Sequence, residues 1–307
     1  MSRSRRLAAI GLAGLCVATL SRVGQAGQSF RTAMDLITVN VTVRDADGRL
    51  INDLPRDSFD VFEDGRLQPV TQFTDERVPV SVAVLLDTSE SMFGSRIQES
   101  RAAIDEFIVK LLDPADEFAI VGFNHQHQML TPWTSERASA AAALEPLRPI
   151  GSTAMYDAIV GALSLFDVRN RQRGALIVIS DGADTASEAT LRDVRTAQLR
   201  SEAFVYAIAI DPVNPRPLNT SVNVTALREI TNLSGGRTLV VRTTGEMLAA
   251  LSEIVEELDN QYLVGYTSPG AADGQFHSIR VRIRGGDYRV RARNGYVRTA
   301  ARAPASR

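Results

Sequence analysis

A nearly unbroken apolar run from Val80 to Leu86 is followed by the polar sequence Asp87-Thr88-Ser89-Glu90-Ser91. An apolar run of this length without polar alternation predicts a β-strand that is covered on both faces. A carboxylate and two hydroxyls then lie on the turn that leaves the buried strand. Open α/β sheets place their ligand sites at this edge, so the segment is a candidate site.

The central region alternates buried strands with amphipathic helices. Further buried strands are predicted at 117–123, 175–180, 204–210 and, more weakly, 238–241. Helical apolar spacing follows over Ile104–Leu112 and again over Leu248–Leu258. This alternation predicts an α/β domain over residues 78–260, with a doubly wound, mostly parallel sheet and helices on both faces.

The flanking segments have the two-residue alternation of half-buried strands. Ile37–Arg44 alternates apolar and polar residues, and the segment from Ile279 to Arg293 does so on either side of Gly285-Gly286, which predicts a final hairpin. A lone hairpin is only marginally stable. Segments 36–76 and 261–298 are therefore predicted to pack together as a small β-sandwich into which the α/β domain is inserted.

Six arginines alternate along the predicted final hairpin, which places them on one face. They are Arg280, Arg282, Arg284, Arg289, Arg291 and Arg293. Such a face can bind an acidic polysaccharide, lipid headgroups or an acidic partner. The favoured interpretation is a solvated face that is partly paired with the acidic residues of the N-terminal flank, because charge runs are usually solvated.

The N-terminus is typical of a secretory signal peptide over residues 1–26. Arg3, Arg5 and Arg6 precede an apolar run from Leu7 to Leu20, and Gly24-Gln25-Ala26 follows. The alternative is an uncleaved anchor, although the run is short for a membrane span. The expected location is therefore secreted, periplasmic or cell envelope. The tail 299–307 has the composition of a disordered segment.

Removal of the signal peptide changes the charge and the cysteine content. Residues 1–26 contain four arginines and no acid, so the net charge goes from −2 to −6. A net acidic chain argues against general nucleic-acid binding. Cys16 is the only cysteine, so the processed chain is expected to form no internal disulfide.

Two more segments add oxygen side chains to the candidate site. Gly151-Ser152-Thr153 opens a predicted helix over 154–166, and Asp181-Gly182 follows the buried strand 175–180. The complete set is two carboxylates and three hydroxyls: Asp87, Asp181, Ser89, Ser91 and Thr153. An all-oxygen set suits a hard divalent cation, Mg²⁺ first, with Mn²⁺ or Ca²⁺ as alternatives.

Each segment taken alone also has an ordinary structural explanation. Ser, Thr and Asp are favoured helix caps, and Asp-Gly is a common turn after a strand. The occurrence of all three segments in order favours the metal site. Asp184 is either an outer-shell group or a plain loop acid. His125 and His127 suggest zinc by their spacing, but a polar loop is the favoured interpretation because no cysteine or third clustered histidine accompanies them.

The pattern Asp87-x-Ser89-x-Ser91, Thr153 and Asp181 resembles the metal-ion-dependent adhesion site of von Willebrand factor A domains. The flanking motifs sharpen the resemblance over residues 37–298. They are similar to those of secreted bacterial "VWFA-related" proteins known mainly from Acidobacteria, and they comprise Asp45-Ala46-Asp47-Gly48, the segment 57–65 and Asn294-Gly295-Tyr296.

The resemblance implies a non-enzymatic binding or adhesion protein. Ser89, Ser91 and Thr153 would contact the cation directly, and Asp87 and Asp181 would act largely through water. An Asp or Glu carboxylate of a protein partner would complete the coordination. Two alternatives stay open: a structural envelope component in which the metal only stabilises the fold, and a metal-assisted hydrolase, which lacks an evident general base. The oligomeric state is not predicted.

Overall fold

A six-stranded sheet lies at the centre of the computed structural model, which describes residues 34–167, 173–211, 223–269 and 273–298. The strands are β1 (Met34–Arg44), β2 (Phe59–Glu63), β3 (Arg66–Gln68), β4 (Val70–Thr74), β5 (Ser81–Asp87), β6 (Glu117–Phe123), β7 (His127–Thr134), β8 (Gly174–Ser180), β9 (Phe204–Ile210), β10 (Thr238–Val241), β11 (Tyr262–Pro269), β12 (Phe276–Ile283), β13 (Arg289–Arg291) and β14 (Gly295–Val297). The helices are α1 (Ser95–Glu106), α2 (Ala138–Leu144), α3 (Met155–Ser164), α4 (Leu191–Arg200), α5 (Val224–Ser234) and α6 (Thr244–Asp259).

The central sheet has the strand order β10-β9-β8-β5-β6-β7. All neighbouring strands in it are parallel except β6 and β7, which are antiparallel. The predicted fold class is therefore confirmed. Strand β7 was not predicted, because it lies at the edge of the sheet and most of its side chains are at least partly exposed. An edge strand lacks the apolar run that identifies a central strand.

Helices cover both faces of the central sheet. Side chains of α1 and α6 pack on one face, while those of α3, α4 and α5 pack on the other. Helix α1 continues into a π-helical turn over Phe107–Leu111, so the predicted helix Ile104–Leu112 is its second half. From β5 the chain moves to β6 on one side, and from β8 it moves to β9 on the other. The order thus reverses between β5 and β8, which is where open sheets bind ligands.

Two smaller sheets combine the N-terminal and C-terminal segments. Their strand orders are β13-β1-β11-β4 and β14-β12-β2-β3. They enclose a third apolar core, which contains Val39, Val41, Val43, Phe59, Val61, Tyr262, Val264, Tyr266, Ile279 and Val281. Neither flank could form this core alone, because strands from both ends of the chain supply it.

The predicted final hairpin is wrong. Strand β12 pairs with β2 and β14, whereas β13 pairs with β1 in the other sheet. The six arginines consequently do not share one face. Arg284 pairs with Asp60 at 2.5 Å, as expected for pairing with the acidic flank, but Arg291 pairs with the buried Glu257 and Arg293 donates to the carbonyl oxygen of Thr38.

Strand β1 was predicted to be half-buried, but both of its faces are largely covered. Asn40 and Thr42, on the polar face, are buried as well. Gln261 Nε2 donates to Thr42 Oγ1 at 3.2 Å and lies near the Tyr206 hydroxyl of β9. The polar face of β1 therefore packs against the α/β part of the molecule.

A buried carboxylate ties these parts together. Glu257 of α6 is fully buried and accepts a hydrogen bond from the Tyr206 hydroxyl at 2.8 Å. It also forms ion pairs with Arg44 of β1, with Arg237 and with Arg291 of β13. One helix of the α/β part is thus fixed by cations from the flanking strands.

The predicted signal peptide, 1–26, and the predicted disordered tail, 299–307, lie outside the described residues. Within the described ranges, no helix combines the length and apolarity needed to span a membrane.

Candidate metal centre

Asp87 ends strand β5 and is fully buried. Its Oδ1 accepts a hydrogen bond from the Ser89 amide at 2.8 Å, and its Oδ2 accepts one from Ser180 Oγ at 2.6 Å. Burial raises the pKa of the Asp87 carboxyl to about 6; the bonds from Ser180 and Ser89 oppose this shift, and the negative charge of Asp181 adds to it. The ionised form is therefore costly here until a cation or another donor approaches.

Ser89 and Ser91 present their hydroxyls side by side on the turn after β5. The chain from Glu90 to Met92 forms a short 3₁₀ turn, and Ser89 precedes it without making a side-chain capping bond. Instead, Ser89 Oγ and Ser91 Oγ lie 3.0 Å apart. The helix-capping explanation of this segment is therefore wrong, and both hydroxyls lie beside the turn that Asp87 begins.

The loop that carries Thr153 is attached to that turn through its backbone. The amide of Ile150 donates to the Thr88 carbonyl oxygen at 2.9 Å, and the amide of Glu90 donates to the Gly151 carbonyl oxygen at 2.9 Å. Gly151 has a φ of +77°, and a Cβ there would lie 3.0 Å from His125 Nδ1. Glycine at this position therefore lets the loop reach the turn, with Thr153 buried next to it.

The same loop is attached to the segment that follows β8. The Thr153 carbonyl oxygen accepts hydrogen bonds from the amides of Thr185 at 2.8 Å and Ala186 at 3.0 Å. Asp184 Oδ1 accepts from the amides of Met155 at 2.8 Å and Tyr156 at 3.2 Å. Asp184 therefore caps helix α3 and is not a plain loop acid. The alternative explanation of Thr153 as the cap of this helix is thereby replaced.

Asp181 lies immediately after β8, the strand that pairs with β5. Its Oδ1 accepts a hydrogen bond from the Ala183 amide at 3.2 Å, and its Oδ2 lies 3.8 Å from Arg96 Nη1. The strand order thus brings the ends of the two acid-bearing strands together, and the loop contacts bring Thr153 to the same place. All three predicted segments converge where the strand order reverses.

The donor chemistry of this set fits a hard divalent cation. The five predicted residues offer two carboxylates and three hydroxyls, and both Asp87 oxygens keep a lone pair beyond the hydrogen bonds they already accept. Oxygen-only donors of this kind match the preference of Mg²⁺, which also retains water molecules readily.

The two histidines do not form a zinc cluster with acids in the described part of the chain. His125 lies in the turn before β7, and His127 is the first residue of that strand. Both line a cavity of about 530 Å³ together with Asp157 and Val160. The Asp157 carboxylate already accepts from two amides of the 188–189 segment. The polar-loop interpretation holds for His125, while His127 belongs to a strand.

A second group with metal-binding atoms was missed in the sequence. Ligand-type atoms of Glu63, Asp64 and His277 all lie within 4.8 Å of one another. His277 Nδ1 is 2.8 Å from Asp64 Oδ2, and Glu63 Oε1 accepts from Arg298 and from Ser268, each at 2.8 Å. These contacts make it an ion-pair network of the small sheets. Asp64 and His277 are 213 residues apart, so no local sequence motif predicts this group.

Comparison with known proteins agrees with the fold. Residues 82–183 match the model of the von Willebrand factor type A domain. This segment of the chain, which is less than half of its length, is therefore similar to a von Willebrand factor type A domain.

Two curated relatives resemble part of the chain. The human inter-alpha-trypsin inhibitor heavy chain H4 is 22% identical over 205 residues, which cover 62% of this chain and 21% of that protein. The minor fimbrium subunit Mfa5 of Porphyromonas gingivalis is 27% identical over 154 residues, which cover 48% of this chain and 12% of the subunit. The chain thus spans at most about a fifth of the length of either relative.

A solved structure supports the fold over a larger part of the chain. The von Willebrand factor type A protein from Catenulispora acidiphila is 15% identical, with a TM-score of 0.52, and the match covers 89% of this chain and 75% of that one. At this identity the likeness concerns the fold alone.

Proposed function

We propose that this protein is a secreted or envelope-associated, non-enzymatic binding protein that uses a divalent cation, Mg²⁺ first, to capture a carboxylate-bearing protein ligand. The observation that carries the proposal is the convergence of Asp87, Ser89, Ser91, Thr153 and Asp181 at the reversal of strand order, with hydroxyls that do not cap helices. The flanking motifs further support a place among the secreted bacterial proteins that the sequence resembles.

The proposed roles follow from the contacts of each residue. Ser89, Ser91 and Thr153 would hold the cation through neutral hydroxyl oxygens, and Asp87 and Asp181 would hold its water molecules. When bound, the cation supplies an incompletely neutralised charge and an exchangeable position for an anion. Both carboxylates are then committed to the cation and its water, which favours binding over hydrolysis.

Exposed apolar side chains on the same loops support a protein ligand. Ile150 and Phe93 are 64% and 62% exposed, the two highest values among large apolar side chains in the described ranges. Ile150 lies three residues before Thr153, and Phe93 lies two residues after Ser91. Apolar side chains around a charged centre are typical of a protein-binding surface. The partner would therefore offer an acidic residue with apolar neighbours.

The relatives are consistent with a binding role outside the cytoplasm. One is named as a fimbrium subunit and the other as the heavy chain of an inhibitor. Together with the predicted signal peptide, these names favour an envelope or extracellular location.

Titration calorimetry with Mg²⁺ and Mn²⁺ tests the metal site. The wild-type protein should bind, and Asp87→Ala should lose binding while it stays folded, because three neutral hydroxyls and one remaining acid compete poorly with hydration. Asp47→Ala is the matched control, since it removes an exposed acid far from the site in sequence. Wild-type affinity in Asp87→Ala would refute the metal assignment.

Capture of a partner tests the binding role. A pull-down from the native envelope should recover a protein with Mg²⁺ and lose it with EDTA, and the double change of Phe93 and Ile150 to Ser should weaken recovery without altering Mg²⁺ affinity. Metal binding without any metal-dependent partner would favour the purely structural role instead.

A further inference from the structure

The arginine at position 96 lies against two of the three predicted ligand segments. Arg96 belongs to the first turn of α1, and its side chain is only 13% exposed. Its Nη1 donates to the Ser91 carbonyl oxygen at 2.5 Å and lies 3.8 Å from Asp181 Oδ2. One guanidinium thus joins the turn after β5 to the segment after β8.

Helix stability does not explain this placement. The first turn of a helix has a partial positive charge, so a cation is unfavourable there and an acid is preferred. No acidic residue occupies the first turn of α1. Gly94, with a φ of +92°, lets the chain turn sharply into the helix after Phe93. The contacts that compensate the charge of Arg96 are therefore those with Asp181 and Ser91.

The charge of Arg96 is balanced by an acid that the proposed function assigns to the cation. Asp87 and Asp181 repel each other across the site, and Asp87 is fully buried. A guanidinium beside Asp181 relieves part of this repulsion in the metal-free protein. A divalent cation among the same oxygens would instead meet a like charge.

We infer that Arg96 is the resident counter-ion of the metal site and that it lowers the affinity of the site for a divalent cation. This inference rests on the proposed function. A cation held weakly for this reason is retained more firmly once a partner carboxylate adds negative charge. By linkage, the cation and the partner carboxylate then raise each other's affinity. Arg96 thereby makes metal retention depend on the ligand.

Titration calorimetry of the full chain with Mg²⁺ alone is the test. Arg96→Gln should bind Mg²⁺ at least about tenfold more tightly than wild type, because a nearby like charge is removed. Arg96→Lys should stay near the wild-type affinity. Arg101→Gln is the matched control, since it removes the same charge from the same helix at a side chain that instead donates to the Leu147 carbonyl oxygen.

A second readout is the melting temperature in EDTA and in Mg²⁺. Arg96→Gln should have a lower melting temperature than wild type in EDTA, because Asp181 loses its partner. Addition of Mg²⁺ should raise the melting temperature of Arg96→Gln by more than it raises that of wild type. Arg96→Met, which keeps much of the apolar stem, replaces Arg96→Gln if that variant does not fold.

The outcomes separate this inference from the proposed function. If wild type binds Mg²⁺ and removal of Arg96 leaves the affinity unchanged or weaker, the counter-ion role is overturned and the metal site stands. If neither wild type nor the variants bind Mg²⁺ or Mn²⁺, both proposals fall.

Discussion

Replacement of Asp87 by Asn should stabilise the metal-free protein at neutral pH. Asp87 is fully buried, and its pKa is raised from the ordinary 3.8 to about 6, chiefly by burial. At 1.36 kcal/mol for each pH unit between these two values, ionisation of Asp87 lowers the free energy of unfolding by about 3 kcal/mol. Asn has nearly the same shape and stays neutral, so it avoids this loss.

Part of the stability that Asp87→Asn gains is offset by altered hydrogen bonding. Asp87 accepts from the Ser89 amide and from Ser180 Oγ, and Asn keeps only one acceptor oxygen. Weakening one such bond costs about 1 kcal/mol. The expected net gain is about 2 kcal/mol, or a rise in melting temperature of about 4 to 8 °C if the α/β part melts as a unit of ordinary domain size.

The pH dependence gives the sign of the effect. Because the folded-state pKa is raised, the stabilising contribution of protonated Asp87 is fully present below about pH 3.8 and is lost as the pH rises through about 6. The free energies of unfolding of wild type and Asp87→Asn should therefore differ little near pH 4. They should diverge between pH 4 and 6, and the difference should stay constant above pH 6.

Differential scanning calorimetry in EDTA at several pH values is the assay. Addition of Mg²⁺ should raise the melting temperature of wild type and leave Asp87→Asn nearly unchanged, since only a state that binds the cation is stabilised by it. The reasoning is refuted if Asp87→Asn melts at or below the wild-type temperature in EDTA at pH 7.5. An equal rise in the melting temperature of Asp87→Asn over wild type at pH 4 and at pH 7.5 would also refute it, because ionisation of Asp87 would then not be the cause of the rise.

Two further predictions concern the residues that support the site and join the sheets. Asp184→Ala should lower the free energy of unfolding by about 1 to 2 kcal/mol, because the first amides of α3 lose their cap, and it should weaken Mg²⁺ binding by displacing Thr153. Urea unfolding measures the first effect and calorimetry the second. Asp184→Asn should retain most of the stability. Glu257→Gln should destabilise the protein by about 3 kcal/mol, because Arg44, Arg237 and Arg291 lose their shared carboxylate; an unchanged urea midpoint would show that the three arginines are adequately solvated without it.

Local pattern was sufficient for the main strands and for the composition of the site. The runs that became β5, β6, β8 and β9 could be located because a strand buried on both faces needs uninterrupted apolar residues. Asp87, Ser89 and Ser91 could be placed at a strand end for the same reason. The pairing of the two flanks followed from the instability of a lone hairpin.

Only the tertiary structure decided which strands became neighbours. The sequence shows that Asp87 and Asp181 each follow a buried strand, but strand order determines that those strands are adjacent. Strands β12 and β13 have the alternation of a hairpin, yet each pairs with a different sheet, because pairing depends on the apolar faces available elsewhere.

The side chains that tune the site were also beyond local pattern. Arg96 appears in the sequence as an ordinary helix residue, and Asp184 as a loop acid. The acid beside Arg96 is 85 residues away along the chain, and the amide of Met155 is 29 residues from Asp184. Glu257 appears as one more acid on an amphipathic helix, although it is fully buried among three arginines. Periodicity reports burial within one element, whereas the pairing of charges depends on the distances between elements that only the folded chain establishes.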